Sequence, residues 1–219
     1  MESIPVKCEN GQVSQPQPET TESTIDIFQD EFNNNTLNSE WKWANEDKSH
    51  WSLTVIPGSI QIITQRGDIY GKTNNLRNLL LQAAPNENFL VTTLLTIIPN
   101  AHAQQGGIII YQDNDNYIRL TRGYMFQSNA VEYTYEKNSV ATSQRLDLGS
   151  TTVYLSILKQ EDVYTGSYSL DGVTWIPIGI FGQVDLKDPK VGVSAWNGDL
   201  PTEEIPVNFD FVKIAVVSR

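Results

Sequence analysis

The sequence predicts an all-β domain, a sandwich of two antiparallel sheets. From Ile25 onward the chain is a succession of short segments rich in β-branched and aromatic residues, such as WSLTV, SIQIIT, FLVTTLLTII and VNFDFVKIAVV. Turn-forming residues separate them, notably PG at 57–58, DNDN at 113–116 and DG at 171–172. Short strands between such turns are typical of an antiparallel sandwich. A chain of 219 residues is long enough to build one as a single domain.

The N-terminal residues 1–24 are predicted to be a flexible tail or linker, and residues 25–219 the sandwich. Residues 9–24 hold one aliphatic residue among Gln, Pro, Thr, Ser and Glu. Such a segment buries too little apolar surface to offset the entropy lost on ordering. It either tethers the domain to another part of a longer protein or is a frayed terminus.

Alternation along the segment NYIRLTRGY predicts which side chains leave the core. Successive side chains of a strand point to opposite faces. Ile118 and Leu120 are expected to face the core, which turns Tyr117 and Arg119 to the outer surface of the same sheet.

Other segments carry more specific expectations. NLRNLLLQAAP, residues 75–85, contains good helix formers but lies between strands and ends at a proline, so strand and short helix both stay open. DNDN is expected to be a hairpin turn, since Asp and Asn bond to local backbone. Trp51 and Trp175 lie within strand motifs and are expected in the core.

Charge and composition exclude several classes of partner. The 26 acidic and 15 basic residues give a net charge of -11, which repels nucleic acid and anionic lipid surfaces and suits a neutral sugar or a cation. No apolar run approaches the roughly 20 residues that span a bilayer. The lone Cys8 allows no internal disulfide. The start lacks the features of a signal peptide, so an extracellular or cell-surface location is expected only if a signal was removed.

A family resemblance rests on long stretches of the chain. They are the opening Phe32, Asn33 and Leu37, the pair in WKW, the strand and turn WSLTVIPGSI, and QQGGIIIYQDNDNYIRLTR. YSLDGVTW and FDFVKI near the end add weaker support. Over about residues 28–215 the sequence resembles the concanavalin A-like β-sandwich (jelly-roll type) domain at the C-terminus of family 43 β-xylosidases and in related free-standing modules.

The resemblance implies a concanavalin-like fold and a carbohydrate setting. The five-bladed propeller that carries the catalytic carboxylates in those enzymes would need a much longer chain, so glycosidase activity is not implied. The expected function is a non-catalytic carbohydrate-binding or accessory module linked to degradation of plant-type, xylan-like polysaccharide. Its expected partners are a polysaccharide or oligosaccharide and a catalytic glycoside hydrolase domain.

Sugar binding in such modules uses aromatic rings that stack on pyranose rings and planar polar groups that pair with hydroxyls. Tyr117 and Arg119 are candidates because they oppose the core residues, although a cross-strand pair that only stabilises the sheet is the alternative. Trp196 precedes the polar loop NGDLPTEE and is either a stacking platform or a cap on the sandwich. The full set of ligand-binding candidates is Tyr111, Tyr117, Arg119, Arg122, Tyr124 and Trp196.

A structural calcium ion is a further hypothesis. Asp30 near the first strand and Asn208 and Asp210 in the last strand would supply oxygen ligands if the ion fastens the two termini together. Concanavalin-like and jelly-roll modules often hold such an ion.

Two other functions stay open. The domain could be a structural packing domain of a larger glycoside hydrolase, or a hydrolase or lyase built on the sandwich. A hydrolase needs two carboxyl groups across a cleft, whereas Glu132 and Glu136 are expected side by side on the solvated face of one strand. A lyase could use tyrosine and arginine, but the histidine strand of such lyases is not recognisable. The domain is therefore expected to lack catalytic activity of its own.

Overall fold

The computed structural model describes residues 23–218, which form two antiparallel sheets packed face to face. The strands of sheet A are β1 (Ser23–Asp30), β3 (Trp51–Ser52), β4 (Ile60–Ile63), β6 (Phe89–Ile97), β11 (Thr152–Gln160), β12 (Val163–Ser169), β13 (Ile176–Phe181) and β15 (Pro206–Ser218). The strands of sheet B are β2 (Lys42–Ala44), β5 (Leu79–Ala83), β7 (Gln105–Asp113), β8 (Asn116–Met125), β9 (Ser128–Lys137), β10 (Val140–Asp147) and β14 (Lys190–Trp196). A 3-10 turn spans Lys48–His50. The predicted two-sheet antiparallel sandwich is confirmed.

The strand order places β13 at one edge of sheet A and β10 at one edge of sheet B. Sheet A runs β13-β12-β11-β6-β15-β4-β3, with β1 also paired to β15. Sheet B runs β10-β9-β8-β7-β14-β5-β2, so β10 is an edge strand. Consecutive strands β7 to β10 form hairpins, whereas β14 joins the far side of β7 after a long excursion through sheet A.

The main core lies between the sheets and follows from strand alternation. In β6 every second residue is buried, among them Phe89, Val91, Leu95 and Ile97, while the residues between them are half-buried. Burying an aliphatic or aromatic side chain of this kind stabilises the fold by about 1.5–3 kcal/mol. The same alternation in β8 sends Ile118 and Leu120 into this core.

Residues 75–85 and the DNDN segment each adopt one defined local structure. Residues 79–83 form strand β5, because Leu80 enters the main core while Leu79 and Leu81 are buried on the opposite face. DNDN forms the β7–β8 hairpin turn, in which Asp113 Oδ1 accepts hydrogen bonds from the Asp115 amide at 2.9 Å and the Asn116 side chain at 2.8 Å.

The tryptophan prediction needs correction. Trp51 is half-buried at the margin of the core beside Trp43, with ring centroids 5.1 Å apart. Trp175 packs edge-on against Tyr154, outside the main core. The buried tryptophans among the described residues are Trp41 and Trp196.

The structure describes only the last two residues of the predicted N-terminal tail. Residues 1–22 of the predicted tail lie outside the described residues, and its last two positions begin β1. No helix among residues 23–218 is long and apolar enough to cross a membrane.

Candidate functional site

The outer face of sheet B brings together most of the residues singled out in the sequence. Tyr117 and Arg119 point away from the main core, as alternation predicts, and belong to a second layer on the far side of the sheet. Both are nevertheless buried, Tyr117 at 0% and Arg119 at 3% exposure. A segment of the chain lies over them.

Residues 66–78, here called the covering segment, pack across this face. Ile69 and Leu76 of the segment join five residues of the sheet in a second apolar cluster, which comprises Leu79, Leu81, Ile109, Tyr117 and Trp196. Gly67, near the start of the segment, has a φ of 155°, and a Cβ atom there would lie 2.7 Å from the Asn75 carbonyl oxygen. Glycine is required there because the two arms of the segment approach so closely.

Hydrogen bonds join the covering segment to the sheet. The Gly71 amide donates to Glu136 Oε2 at 2.9 Å. The Tyr117 hydroxyl lies 2.9 Å from the same oxygen and 3.1 Å from the Ile69 carbonyl oxygen. Burial raises the pKa of Glu136 above its ordinary 4.5 and that of Tyr117 above its ordinary 10.

The prediction that Glu132 and Glu136 lie on a solvated face of β9 is therefore wrong. Glu136 is fully buried and Glu132 is only 6% exposed. The sequence alternation is correct, but the covering segment and Arg119 occupy the space that solvent was expected to fill.

Arg119 is the centre of a buried charge cluster. Its guanidinium lies 3.5 Å from Asp68 Oδ1 and 3.4 Å from Glu132 Oε1. The same group lies over the rings of Trp196 and Tyr70, with 5.3 Å and 5.7 Å to the centroids. Its Nε atom has no hydrogen-bond partner in the described part of the chain. One donor of a buried cation is thus left for another acceptor.

A cavity of about 300 Å³ opens beside this cluster and is here called the sheet B pocket. Its floor is polar and its rim is aromatic, with Tyr70 48% exposed and Phe126 72% exposed. The residues that line it include Asp68, Tyr70, His102, Gln105, Arg119, Phe126, Glu132 and Ser143.

Phe126 sits at the tip of the β8–β9 hairpin in an unfavourable backbone conformation. Phe126 has a φ of 48° and Gln127 a φ of 70°, where Asn and Gly are the preferred residues of a two-residue turn. Its ring packs against His102 at 5.8 Å, and the Arg145 guanidinium lies 4.8 Å from its centroid. Backbone strain of this kind clusters at binding sites, which makes Phe126 a candidate contact residue.

Comparison with known proteins identifies the family. The family model of the beta xylosidase C-terminal concanavalin A-like domain matches residues 29–199. The chain belongs to this family. None of the curated proteins is similar enough in sequence to count as a match.

Solved structures similar to this chain share its fold at low identity. The GH43 protein of Bacillus licheniformis is 21% identical with a TM-score of 0.77, over 85% of this chain and 38% of its own. The xylan beta-1,4-xylosidase of Bacillus halodurans C-125 is 18% identical with a TM-score of 0.74, over 85% and 38%. The CBM2 module of the evolved Dit protein from a Lactobacillus casei phage is 11% identical with a TM-score of 0.60, over 90% and 98%. The chain thus spans well under half of the two Bacillus proteins.

Of the six predicted sugar ligands, Arg119 alone lines the sheet B pocket, and Tyr117 lies beside it under the covering segment. Arg122 is fully buried on the other side of β8, where it donates to the carbonyl oxygens of Ser150 and Gly123 and to the Asn129 side chain. Burial lowers its pKa to about 10. Arg122 therefore ties loops together, since each of its three side-chain nitrogens donates to a neutral oxygen.

The tyrosine and tryptophan candidates differ in exposure. Trp196 is 1% exposed and packs beneath the covering segment, so of its two alternatives the stacking platform is excluded. Tyr111 is half-buried, and its hydroxyl donates to Asn114 Oδ1 at 2.8 Å. Tyr124 is half-buried and pairs through its backbone with the β6–β7 loop.

Pocket residues that the sequence reasoning missed include Asp68, His102 and Phe126. Asp68 and His102 lie in segments without strand periodicity, and FQ at 126–127 lacks the Asn or Gly that marks a tight turn.

Two of the three predicted calcium ligands, Asp30 and Asn208, are engaged with protein groups. Asp30 accepts hydrogen bonds from the Phe32 amide and the Trp41 indole, and Asn208 accepts one from Gln61. Burial raises the pKa of Asp210. Within residues 23–218 no group of three or more His, Cys, Asp and Glu residues is placed to hold a metal ion. Calcium binding by Asp30, Asn208 and Asp210 stays a prediction.

Proposed function

We propose that the domain is a non-catalytic module that binds a neutral sugar of a plant-type, xylan-like polysaccharide in the sheet B pocket. Membership of the family of beta xylosidase C-terminal concanavalin A-like domains supports a role as an accessory domain in xylan degradation. The longer GH43 proteins of similar fold support a catalytic glycoside hydrolase domain as its partner. An extracellular or cell-surface location would suit such a substrate.

The observation that carries the proposal is the combination of groups around the pocket. The exposed rings of Tyr70 and Phe126 stand at the rim, suited to the apolar face of a sugar ring. Arg119, Glu132 and Gln105 lie below them as partners for hydroxyl groups.

The charge of the pocket favours a neutral ligand. The carboxylates of Asp68 and Glu132 are offset by Arg119 within the floor and by Arg145 near the rim. A uronate would bring an unpaired negative charge next to two carboxylates, which costs free energy in a partly buried site. A neutral sugar brings no charge and therefore does not incur this free-energy cost.

A packing role is the second candidate function. Phe126 exposes 72% of its surface next to the pocket, and a partner domain that covered it would also seal the pocket. In that case the isolated domain would bind no glycan and would instead associate with a separately produced catalytic domain.

Catalysis is the least favoured function. Asp68 and Glu132 share one arginine, and Glu136 is sealed beneath the covering segment. Neither arrangement leaves two carboxyl groups free on opposite sides of a substrate.

The proposal is tested by calorimetric titration of the domain with xylan, arabinoxylan, β-glucan and pectic oligosaccharides, alongside an assay for released sugar ends. We expect binding of a neutral glycan and no release of ends. Phe126→Ala and Tyr70→Ala are expected to weaken binding, each by about tenfold. Trp175→Ala is the matched control, because Trp175 is a half-buried aromatic residue that packs on Tyr154 of sheet A. Binding that is lost equally in the control, or absent from the wild type, would contradict the proposal.

A further inference from the structure

We infer that the sheet B pocket receives the end of a glycan chain or a single-residue branch, and that it excludes the interior of a long chain. The inference rests on the proposed sugar-binding function and concerns the shape of its ligand. The evidence is that three sides of the pocket are closed and one side is open.

The inner side of the pocket is closed by apolar packing. Ile69 and Leu76 of the covering segment are at most 1% exposed, as are Ile109 and Trp196 of the sheet beneath them. These residues fill the space over β7, β14 and β5. A sugar chain that entered the pocket could not continue across the sheet in this direction.

The covering segment also forms one lateral wall. Asp68 and Tyr70 border the pocket, and the next residue, Gly71, is fastened to Glu136 by its amide. The buried Tyr117 hydroxyl lies beneath the segment, 3.1 Å from the Ile69 carbonyl oxygen. This wall is therefore anchored to the sheet on both sides of Tyr70.

The opposite lateral wall is the β6–β7 loop together with the β8–β9 hairpin. The Ala103 amide donates to the Tyr124 carbonyl oxygen at 2.8 Å, and the Tyr124 amide donates to the Gln104 carbonyl oxygen at 3.0 Å. His102 then packs against Phe126 at the rim. The two elements form a continuous barrier at this end of the strands.

The fourth side is open. A second cavity, of about 320 Å³, continues from the sheet B pocket and shares Phe126, Glu132 and Ser143 with it. Arg145 borders this outer cavity, and both Ser143 and Arg145 are exposed on β10. Because β10 is the edge of sheet B, no further strand of the sheet lies beyond it.

One entrance and three walls define a blind site. The inner cavity of about 300 Å³ is at the lower end of the volumes of small-ligand sites, about 300–1,000 Å³. It holds a terminal sugar, the outer cavity holds the next unit, and the rest of the chain leaves over β10 into solvent.

The test measures affinity against chain length. The domain is titrated with linear xylo-oligosaccharides from the monosaccharide to the hexasaccharide, and with arabinose-substituted forms. We expect affinity to rise up to the di- or trisaccharide and then to change by less than about twofold per added unit, since later units make no new contacts. On long soluble xylan the stoichiometry is expected to follow the number of ends or branches.

A pair of variants on β10 tests the entrance. Ser143→Trp would place a large side chain in the open side and is expected to reduce affinity by about tenfold or more. Thr142→Trp is the control, because Thr142 is exposed on the same strand and its side chain points to the opposite face. Equal losses from the two variants would overturn the assignment of the entrance.

Different results would contradict the blind site and the sugar-binding function. Affinity that keeps rising to the hexasaccharide, or several domains bound along one unbranched chain, would overturn the blind site and leave sugar binding intact. If no glycan binds the wild type, the proposed function and this inference both fail.

Discussion

Tyr117 and Glu136 meet under the covering segment, with the tyrosine hydroxyl 2.9 Å from Glu136 Oε2. The same carboxylate oxygen accepts the Gly71 amide, so one buried atom joins β8, β9 and the covering segment. The residues that carry the candidate site are in this way linked to the stability of the fold.

Removing the Tyr117 hydroxyl is expected to destabilise the domain. Tyr117→Phe would leave Glu136 with one hydrogen bond fewer in a buried position, at a cost of about 1–3 kcal/mol in the free energy of unfolding. Tyr133→Phe is the matched control, because Tyr133 is equally buried but its hydroxyl has no partner among the described residues. We expect it to be neutral or mildly stabilising. Urea denaturation measures both, and equal losses would contradict the account.

The charge state of Glu136 is expected to make stability depend on pH. Because burial raises its folded pKa above 4.5, the folded state binds a proton more readily than the unfolded state. The stabilisation gained by protonation is complete below pH 4.5 and is lost as the pH rises through the folded pKa. Relative to Glu136→Gln, the wild type should therefore gain stability on acidification from neutral pH. A relative loss in that window, measured by urea denaturation, would contradict the prediction.

The charge cluster predicts a rescue experiment. Arg119→Met would leave the carboxylates of Asp68 and Glu132 close together without a cation, which is expected to cost about 3–5 kcal/mol. Adding Glu132→Gln should recover part of that loss, since only one carboxylate then lacks its partner. Thermal denaturation of the two variants checks this order. A double variant less stable than Arg119→Met alone would contradict the view that the unpaired carboxylates cause the loss.

The Phe126 and Gln127 residues of the β8–β9 turn are expected to lower the stability of the domain, while the Phe126 ring strengthens sugar binding. Phe126→Asn with Gln127→Gly would relieve the two positive φ angles and stabilise the domain by about 1 kcal/mol. The same change removes the ring at the rim of the pocket, so sugar binding should weaken. Ser139→Gly in the neighbouring β9–β10 turn is the control and should leave binding unchanged. A turn variant that binds sugar as well as the wild type would exclude Phe126 from the site.

The sandwich and the direction of its strands follow from local sequence patterns. The alternation that separates Ile118 and Leu120 from Tyr117 and Arg119 is a property of the strand itself, and the structure confirms it. The family resemblance, which rests on long stretches of sequence, is likewise confirmed, because the family model matches residues 29–199.

Burial on the outer face of sheet B was not predictable in this way. Gly71 and Glu136 are 65 residues apart in the chain, and their contact depends on how the covering segment folds over the sheet. Trp196 is buried by the same segment, whereas the sequence left both a stacking platform and a cap on the sandwich open. The pocket combines residues from separate segments, and the hairpin tip at Phe126 lacks a turn signal.

The most direct test of sugar binding at the sheet B pocket is an NMR titration that follows the histidine side chains. The protein has two histidines. His102 lines the pocket, whereas His50 lies between Asp47 and Glu204, outside it. On addition of an arabinoxylan oligosaccharide, the ring signals of His102 are expected to shift with saturation while those of His50 stay in place. Saturable binding that moves His50 alone, or neither ring, would contradict the proposed site.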